Sequence, residues 1–246
     1  KLGCLIMAVP NSNISKALET LVHKRQQQLA YLRRTHQPDV DFKDVNNYGQ
    51  FSFWLNTISV SPKTINKEMK DETRKISGWF CLGTSLSKLL EIEDHTVLVN
   101  SFIQLMEEFS YQFTQRIHAG FSYLRSKNLQ DKFDINSNQP IKPIIWKRDN
   151  KVVFQLLQTP RLPEQLNYCL IVYSMLSILY LLYSKFLHPQ CSNEIWRKAI
   201  ETLDEKVSTL VLKDLTEVVT KLTYQSVEKA IGDVMPSNDN NVNGNM

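Results

Sequence analysis

The sequence has little glycine and lacks the common phosphate-binding loops, which sets the first limits on its fold and chemistry. Only seven of the 246 residues are glycine, whereas sandwiches of short strands depend on many glycine-rich turns. Neither a GxxxxGKS/T nor a GxGxxG motif occurs, so a nucleotide phosphate has no evident backbone cradle. A GxSxG nucleophile elbow is also missing. These gaps argue against a β sandwich, a nucleotide-binding fold and a common hydrolase.

Metal ligands and catalytic pairs are equally scarce. None of the five histidines forms an HExxH motif, and no two of the four cysteines form a CxxC pair. Glu107 and Glu108 are adjacent carboxylates, but we expect them to be exposed on an amphipathic helix. Acid–base catalysis would need them in a pocket that separates their pKa values. The sequence therefore predicts no catalytic residue, no metal site and no cofactor, and a protein that is not an enzyme.

Charge and cysteine usage indicate the environment of the chain. The net charge is +4, and the basic residues occur in short clusters, so we expect no nucleic-acid partner. Three of the cysteines have apolar neighbours and should be small buried side chains. Free thiols are typical of a reducing compartment, which predicts a cytoplasmic protein.

Apolar residues recur at helical spacing along most of the chain, which predicts an all-α fold. We expect an elongated helical bundle in a single domain over residues 1–236, with a loop or linker at 128–143. An Asn-rich tail at 237–246 should be disordered. The predicted helices span about 13–36, 51–60, 62–92, 95–128, 164–187 and 193–231. The segment 62–92 is one helix with a polar first half, or two helices joined near Gly78.

Two of these helices have unusual sequences. Residues 168–184 contain no formal charge, and the length approaches the ~20 residues of a membrane span. Four tyrosines and three serines within this stretch instead favour a buried, near-uncharged central helix of the bundle. The last helix is several times longer than average, so it needs a partner along its length. That partner is the bundle itself or another chain.

One segment combines apolar and basic residues in a way that suits a contact with a partner. Ile145 and Trp146 look exposed and stand directly before Lys147 and Arg148, and Arg161 follows between two prolines. An aromatic side chain beside basic groups is typical of protein and membrane-surface contacts. The alternative is that Trp146 closes one end of the core.

Two stretches of sequence resemble a known family. They are Leu2 to Asn13 and the segment from Phe154 to Pro163, the latter followed by the apolar helix that ends at Phe186 and Leu187. Both resemble the fungal mitochondrial distribution and morphology adaptors, which help to anchor mitochondria at the cell cortex. The resemblance implies a non-enzymatic adaptor that binds the coiled coil of a cortical anchor. It implies no individual site residue.

We therefore expect a scaffold that binds a partner helix or coiled coil at an organelle surface, by laying that helix along an apolar seam. The location implied is the mitochondrial surface or the cell cortex, with possible peripheral membrane contact through the basic clusters. A membrane-trafficking or GTPase-regulating module, using an exposed Arg148 or Arg161, is one alternative. An enzyme of an unrecognised helical class is another.

Overall fold

A computed structural model describes residues 12–37, 52–54, 58–113, 140–149, 151–163 and 166–234. Helices dominate these residues, and the predicted all-α class is confirmed. The helices are α1 (Ser12–Thr35), α2 (Pro62–Glu68), α3 (Thr73–Leu89), α4 (His95–Phe113), α5 (Tyr168–Lys185), α6 (Glu194–Val207) and α7 (Lys213–Val234). The predicted extension of the fourth helix to residue 128, most of the 128–143 loop and the tail at 237–246 lie outside the described residues.

Helix α5 lies at the centre of the bundle, between α1 on one side and α3 on the other. Its inner face is apolar and fully buried, as the uncharged sequence predicts. Gly83 of α3 faces α5, where a Cβ added to it would lie at ordinary contact distance, 3.5 Å, from Met175 Cβ. Two of its outward leucines, however, remain about half exposed: Leu170 at 50% and Leu181 at 52%. The central helix is therefore buried on one side rather than all round.

The long C-terminal helix is confirmed, but it contains an irregular turn. A π-helical turn, Ser208–Leu212, joins α6 to α7. From Leu203 onwards, a row of five fully buried residues repeats every four positions, at Leu203, Val207, Val211, Leu215 and Val219. A regular α-helix of 3.6 residues per turn would carry such a row progressively around its axis. The wider π turn restores the phase and keeps the row against the core.

Local sequence signals set several helix ends. Asp94 accepts hydrogen bonds from the backbone N–H groups of Thr96 and Val97, at 2.8 and 3.0 Å, and so caps the start of α4. Asn193 caps α6 by accepting from the N–H of Trp196 at 2.9 Å. The three described cysteines, Cys81, Cys169 and Cys191, are buried.

The helix predicted at 51–60 is wrong. Two short antiparallel strands, β1 (Ser52–Trp54) and β2 (Ile58–Val60), lie there, and Ser52 pairs with Val60. The aromatic and β-branched residues of this segment favour extended backbone. The prediction discounted strand for want of a partner, whereas the partner lies in the same segment.

The position of the break within 62–92 is also corrected. Two helices are present, but the chain turns at residues 69–72, and Gly78 lies inside α3. The short helix α2 starts at Pro62 under the cap of Ser61, whose hydroxyl accepts from the N–H of Lys63 at 3.2 Å. Near residue 164 the central helix begins later than predicted, at Tyr168, because Asn167 caps it by accepting from the N–H of Leu170.

Candidate functional site

The inner face of α4 carries three polar side chains, Asn100, Gln104 and Glu108, which hold the irregular segment 140–158 against the bundle. They stand four residues apart, so they follow one another along one face of the helix. The Asn100 side-chain oxygen accepts from the N–H of Ile141 at 2.9 Å. Gln104 bonds to both backbone groups of Ile144, accepting from its N–H at 3.0 Å and donating to its carbonyl at 2.7 Å. The Gln104 side-chain amide thus bonds to both backbone groups of Ile144, as the backbone of a neighbouring strand would.

The Glu108 carboxylate completes this row, and it is the most deeply buried charged group described, at 1% exposure. One of its oxygens accepts from the N–H of Gln155 and from the Gln104 amide, at 3.0 and 2.8 Å. The other accepts from the N–H groups of Leu156 and Leu157, at 2.9 and 2.8 Å. Four donors replace the water that a carboxylate loses on burial. Glu108 is therefore a structural anchor, and the expectation that it is exposed is wrong.

The residues predicted to contact a partner lie on and just after this anchored segment. Strand β3 (Trp146–Arg148) pairs with β4 (Lys151–Val153), and Asp149 turns the hairpin with a φ of 50°. Ile145 and Trp146 are buried, so their expected exposure is wrong. They nevertheless lie outside the main hydrophobic cluster. Asn100 and Gln104 of α4 hold the residues that precede Ile145 against the bundle, and the local sequence does not reveal this contact.

The basic members of the predicted set do reach solvent. Lys147 is half-buried on β3, and the Arg148 side chain is 74% exposed at the hairpin end, 3.9 Å from Asp149. Arg161 is exposed on the extended segment that follows the hairpin. Of the four consecutive residues, Ile145 and Trp146 are therefore buried, and only Lys147 and Arg148 reach solvent.

A buried ionic network joins three helices at the opposite side of α5. The Arg25 guanidinium on α1 donates to both carboxylate oxygens of Asp204 on α6, each at 2.7 Å. The Tyr183 hydroxyl on α5 donates to the same carboxylate at 2.7 Å. Burial, together with the neighbouring Asp204 charge, raises the pKa of Tyr183 well above its usual value. The Asp204 carboxylate thus pairs with Arg25 and Tyr183 at once, and the network links α1, α5 and α6.

The outward side of α5 is a continuous uncharged surface, which we call the α5 strip. It consists of Leu170, Ser174, Ser177, Leu181 and Ser184, which share one face because they are spaced three and four residues apart. The Ser177 and Ser184 hydroxyls donate to the carbonyls of Tyr173 and Tyr180 within the helix, at 2.8 and 3.3 Å. The strip therefore consists of two leucines and three small serines, and the Ser184 hydroxyl also accepts from the Gln26 amide on α1 at 2.8 Å.

Basic and aromatic side chains border the α5 strip on the α1 side. The Arg33 guanidinium lies 5.8 Å from the Tyr173 ring and 5.6 Å from the Tyr180 ring, between the two. Arg34 lies 6.0 Å from the ring of Tyr31. By length and composition α5 could also cross a membrane, and 44% of it is buried within the bundle. The exposed surface of α5 is thus apolar with a cationic border.

A pocket of about 490 Å³ opens where α3 begins, α4 ends and the π turn leads into α7. Its wall is aromatic: Trp79 and Phe109 stack at 5.7 Å between ring centroids, and Phe109 and Phe113 lie at 5.2 Å. Gly78 allows the Phe113 ring to lie against α3, since a Cβ there would come within 3.2 Å of Phe113 Cδ1. Sequence patterns gave no sign of this pocket, because its residues come from three separate helices.

Charged side chains of both signs form the rim of the pocket. Lys75 donates to Asp214 Oδ1 at 3.1 Å, and Lys213 lies 4.0 Å from Glu217. Within the described ranges, no group of three or more His, Cys, Asp or Glu side chains could hold a metal ion. The pocket, like the α5 strip, has room for another molecule.

Comparison with known proteins adds no further evidence on function. The chain matches no family model, no curated protein and no solved structure.

Proposed function

We propose that this protein is a helical adaptor that binds an amphipathic helix of a partner protein along the α5 strip. The observation that carries the proposal is the exposure of apolar surface on the central helix. Leu170 and Leu181 are 50% and 52% exposed in a stretch of 17 residues that contains no formal charge. Large apolar surface that folding leaves in water often marks an interaction site.

The shape of the α5 strip favours a helix as the occupant. From Leu170 to Ser184 the strip extends for about 21 Å, at 1.5 Å per residue, which is the length of about four helical turns. Small serines between larger leucines provide the grooves into which the side chains of a second helix can pack. The Ser177 hydroxyl donates within α5, and the Ser184 hydroxyl donates within α5 and accepts from Gln26 on α1, so covering these two serines with an apolar seam leaves neither hydroxyl without a partner.

The border of the strip favours a partner with acidic flanks. Arg33 supplies positive charge along the α1 edge, and the Tyr173 and Tyr180 rings fix its position. A helix with leucines along its seam and glutamates beside them would match both features. The sequence resemblance to mitochondrial distribution and morphology adaptors supports placing this partner at the mitochondrial surface or the cell cortex, where a coiled coil would supply the helix.

Binding of designed helical peptides to the full chain tests the proposal. Two fluorescent peptides share a leucine heptad seam, and one has glutamate while the other has lysine at the flanking positions. In fluorescence anisotropy we expect the glutamate peptide to bind at least about 10-fold more tightly, with an affinity that falls as salt rises. The substitution Leu181→Glu should weaken binding by at least about 10-fold, since it places an unpaired charge in the seam.

Ile195→Glu is the matched control, because Ile195 is similarly exposed, at 47%, on α6. It should leave binding of the glutamate peptide unchanged. Equal affinity for both peptides, or binding that survives Leu181→Glu, would contradict the proposal. Vesicles of neutral and anionic lipid form a further arm. If Leu181→Glu abolishes binding to vesicles while neither peptide binds, the strip contacts lipid and the adaptor proposal fails.

A further inference from the structure

We propose that Arg33 on α1 selects the partner helix of the α5 strip by binding one carboxylate at the middle of that helix. The inference rests on the proposed adaptor function. It adds which side chain of the partner is recognised and where along the helix that side chain stands. Three features of Arg33 support it: its lack of an acceptor within the described residues, the two rings that hold it and its position along the strip.

Arg33 is a half-buried cation, and no described residue accepts a hydrogen bond from it. Its guanidinium contacts the Tyr173 and Tyr180 rings but forms no ion pair within the part of the chain that the structure describes. By contrast, the guanidinium of Arg25 donates to both carboxylate oxygens of Asp204. A helix laid along the strip would exclude more water from Arg33, and burying a charge without an acceptor is costly. Partners without an acceptor at this point are therefore disfavoured, and a partner that supplies a carboxylate is selected.

The two tyrosine rings prepare Arg33 for such a carboxylate. The guanidinium carbon lies 5.8 Å from the centroid of Tyr173 and 5.6 Å from that of Tyr180, so both rings attract the cation. A side chain held in this way has already lost part of the freedom that binding would otherwise cost. The planar fork of N–H groups matches the two oxygens of a carboxylate, which a lysine ammonium cannot do.

Contacts between α1 and α5 place Arg33 near the middle of the strip. The two helices run antiparallel, since Gln26 donates to the Ser184 hydroxyl at 2.8 Å while the His36 ring lies 5.8 Å from the ring of Tyr168. Arg33 comes seven residues after Gln26. At 1.5 Å per residue it therefore stands about 10 Å from the Ser184 end of a strip that is about 21 Å long.

The cation that follows the strip at this end is already engaged. Lys185 donates to the carbonyl groups of Leu90 and Ile92, at 2.6 and 2.9 Å. A carboxylate at the end of the partner helix would have to compete with these two bonds. A carboxylate at the centre of the partner helix would meet Arg33, and one placed a heptad away, about 10 Å along the axis, would not reach it.

Two stapled helical peptides of 15 residues and identical composition test this position. Both carry the same leucine seam and a single glutamate on the same flank, at position 8 in the central peptide and at position 1 in the end peptide. Each matches the strip in length, so neither can slide by a heptad without uncovering about half of it. A glutamate at the first position also favours the helix itself, so weaker binding of the end peptide would not reflect lost helicity.

In fluorescence anisotropy with the full chain we expect the central peptide to bind at least about 5-fold more tightly than the end peptide. Arg33→Gln should reduce this ratio below about 2-fold, and Arg33→Lys, which keeps the charge but loses the fork, should fall between. Arg34→Gln is the matched control, because it removes the same charge from the next residue, which is exposed. It should leave the ratio unchanged.

A direct readout comes from the wild type alone, so it does not depend on the folding of a variant. In the 15N-labelled chain, the central peptide should shift the Arg33 Nε–H resonance and the end peptide should not. Equal binding of the two peptides, an unmoved Arg33 resonance, or a ratio that survives Arg33→Gln overturns the inference. If both peptides bind equally and Leu181→Glu abolishes both, the adaptor proposal stands and this inference fails. If neither peptide binds, both fail.

Discussion

Replacing Glu108 by glutamine should destabilise the protein more than any other substitution on α4 that exchanges a polar side chain for one of the same shape. The carboxylate accepts four hydrogen bonds, two on each oxygen. In Glu108→Gln one oxygen becomes an NH2 group. Whichever way the amide turns, two donors lose their acceptor and face another donor. The segment 155–157 is then held by half of its former bonds.

The expected magnitude follows from these bonds. A buried donor that loses its partner costs about 1–3 kcal/mol, so two such donors cost about 2–6 kcal/mol before relaxation. Allowing for local adjustment, we expect a loss of about 3 kcal/mol in the free energy of unfolding. For a chain of this length that loss lowers Tm by about 6–12 °C. It is also a large fraction of the roughly 5–15 kcal/mol that stabilises a typical domain.

Urea unfolding followed by far-UV circular dichroism measures the loss, and hydrogen exchange locates it. The amides of residues 155–157 should exchange faster in Glu108→Gln than in the wild type, while amides of α5 should change only with global stability. Glu107→Gln is the control: it removes the same charge one residue earlier, at a half-buried position paired with Lys206. Its expected cost is below about 1 kcal/mol. Equal stability losses in the two variants, with unchanged protection at 155–157, would refute the anchoring role.

Three further predictions concern burial, charge and close helix contact. Burial lowers the pKa of His36 from its usual 6.5 to about 4, so the unfolded chain binds a proton before the folded state does, and the wild type should lose about 3 kcal/mol of its free energy of unfolding as pH falls from about 6.5 to 4. Urea unfolding across this pH range should show no such loss in His36→Gln, and identical pH profiles for the two proteins would contradict the prediction. A double-mutant cycle with Arg25→Met and Asp204→Asn should give a coupling free energy above about 1.5 kcal/mol, because the pair is bidentate and largely buried; additive effects would show that the pair contributes little. Gly83→Ala should raise stability by about 0.5–1 kcal/mol, since the added Cβ would lie at ordinary contact distance from Met175. Gly78→Ala should gain less, because the Phe113 ring must move to admit the Cβ, and a larger gain for Gly78→Ala than for Gly83→Ala in thermal unfolding would contradict this prediction.

What the sequence predicted correctly depends on near neighbours along the chain. Helical spacing of apolar residues predicts the all-α class, and the caps Asp94 and Asn193 are single residues of a cap-forming type that stand directly before a helix. The hairpin at 52–60 was mispredicted for a related reason. Short aromatic and β-branched runs fit strand and helix patterns equally, and only the pairing between Ser52 and Val60 decides between them.

The candidate sites were less predictable, because they depend on contacts between distant segments. Glu108 looked like an exposed helix charge, although a signal was present: Asn100, Gln104 and Glu108 repeat every four residues among buried apolar neighbours. Such a row of polar groups on an inner face requires partners from elsewhere in the chain. The burial of Trp146 follows from the same docking and could not be inferred from its own surroundings.

The exposed area of the α5 strip also limits how strongly a partner can bind. Full burial of a leucine contributes about 1.5–3 kcal/mol, so covering the exposed half of Leu170 and Leu181 contributes only about 2–3 kcal/mol in total. A Kd of 1 μM requires about 8 kcal/mol. The remainder must come from the serine grooves and from acidic groups beside Arg33. Binding through the strip should therefore be weak, between about 10 μM and 1 mM, and sensitive to salt. The residues of α5 that pack in the core lie on its inner face, so substitutions on the strip should change this affinity without unfolding the bundle. Recognition through the strip can therefore vary independently of stability.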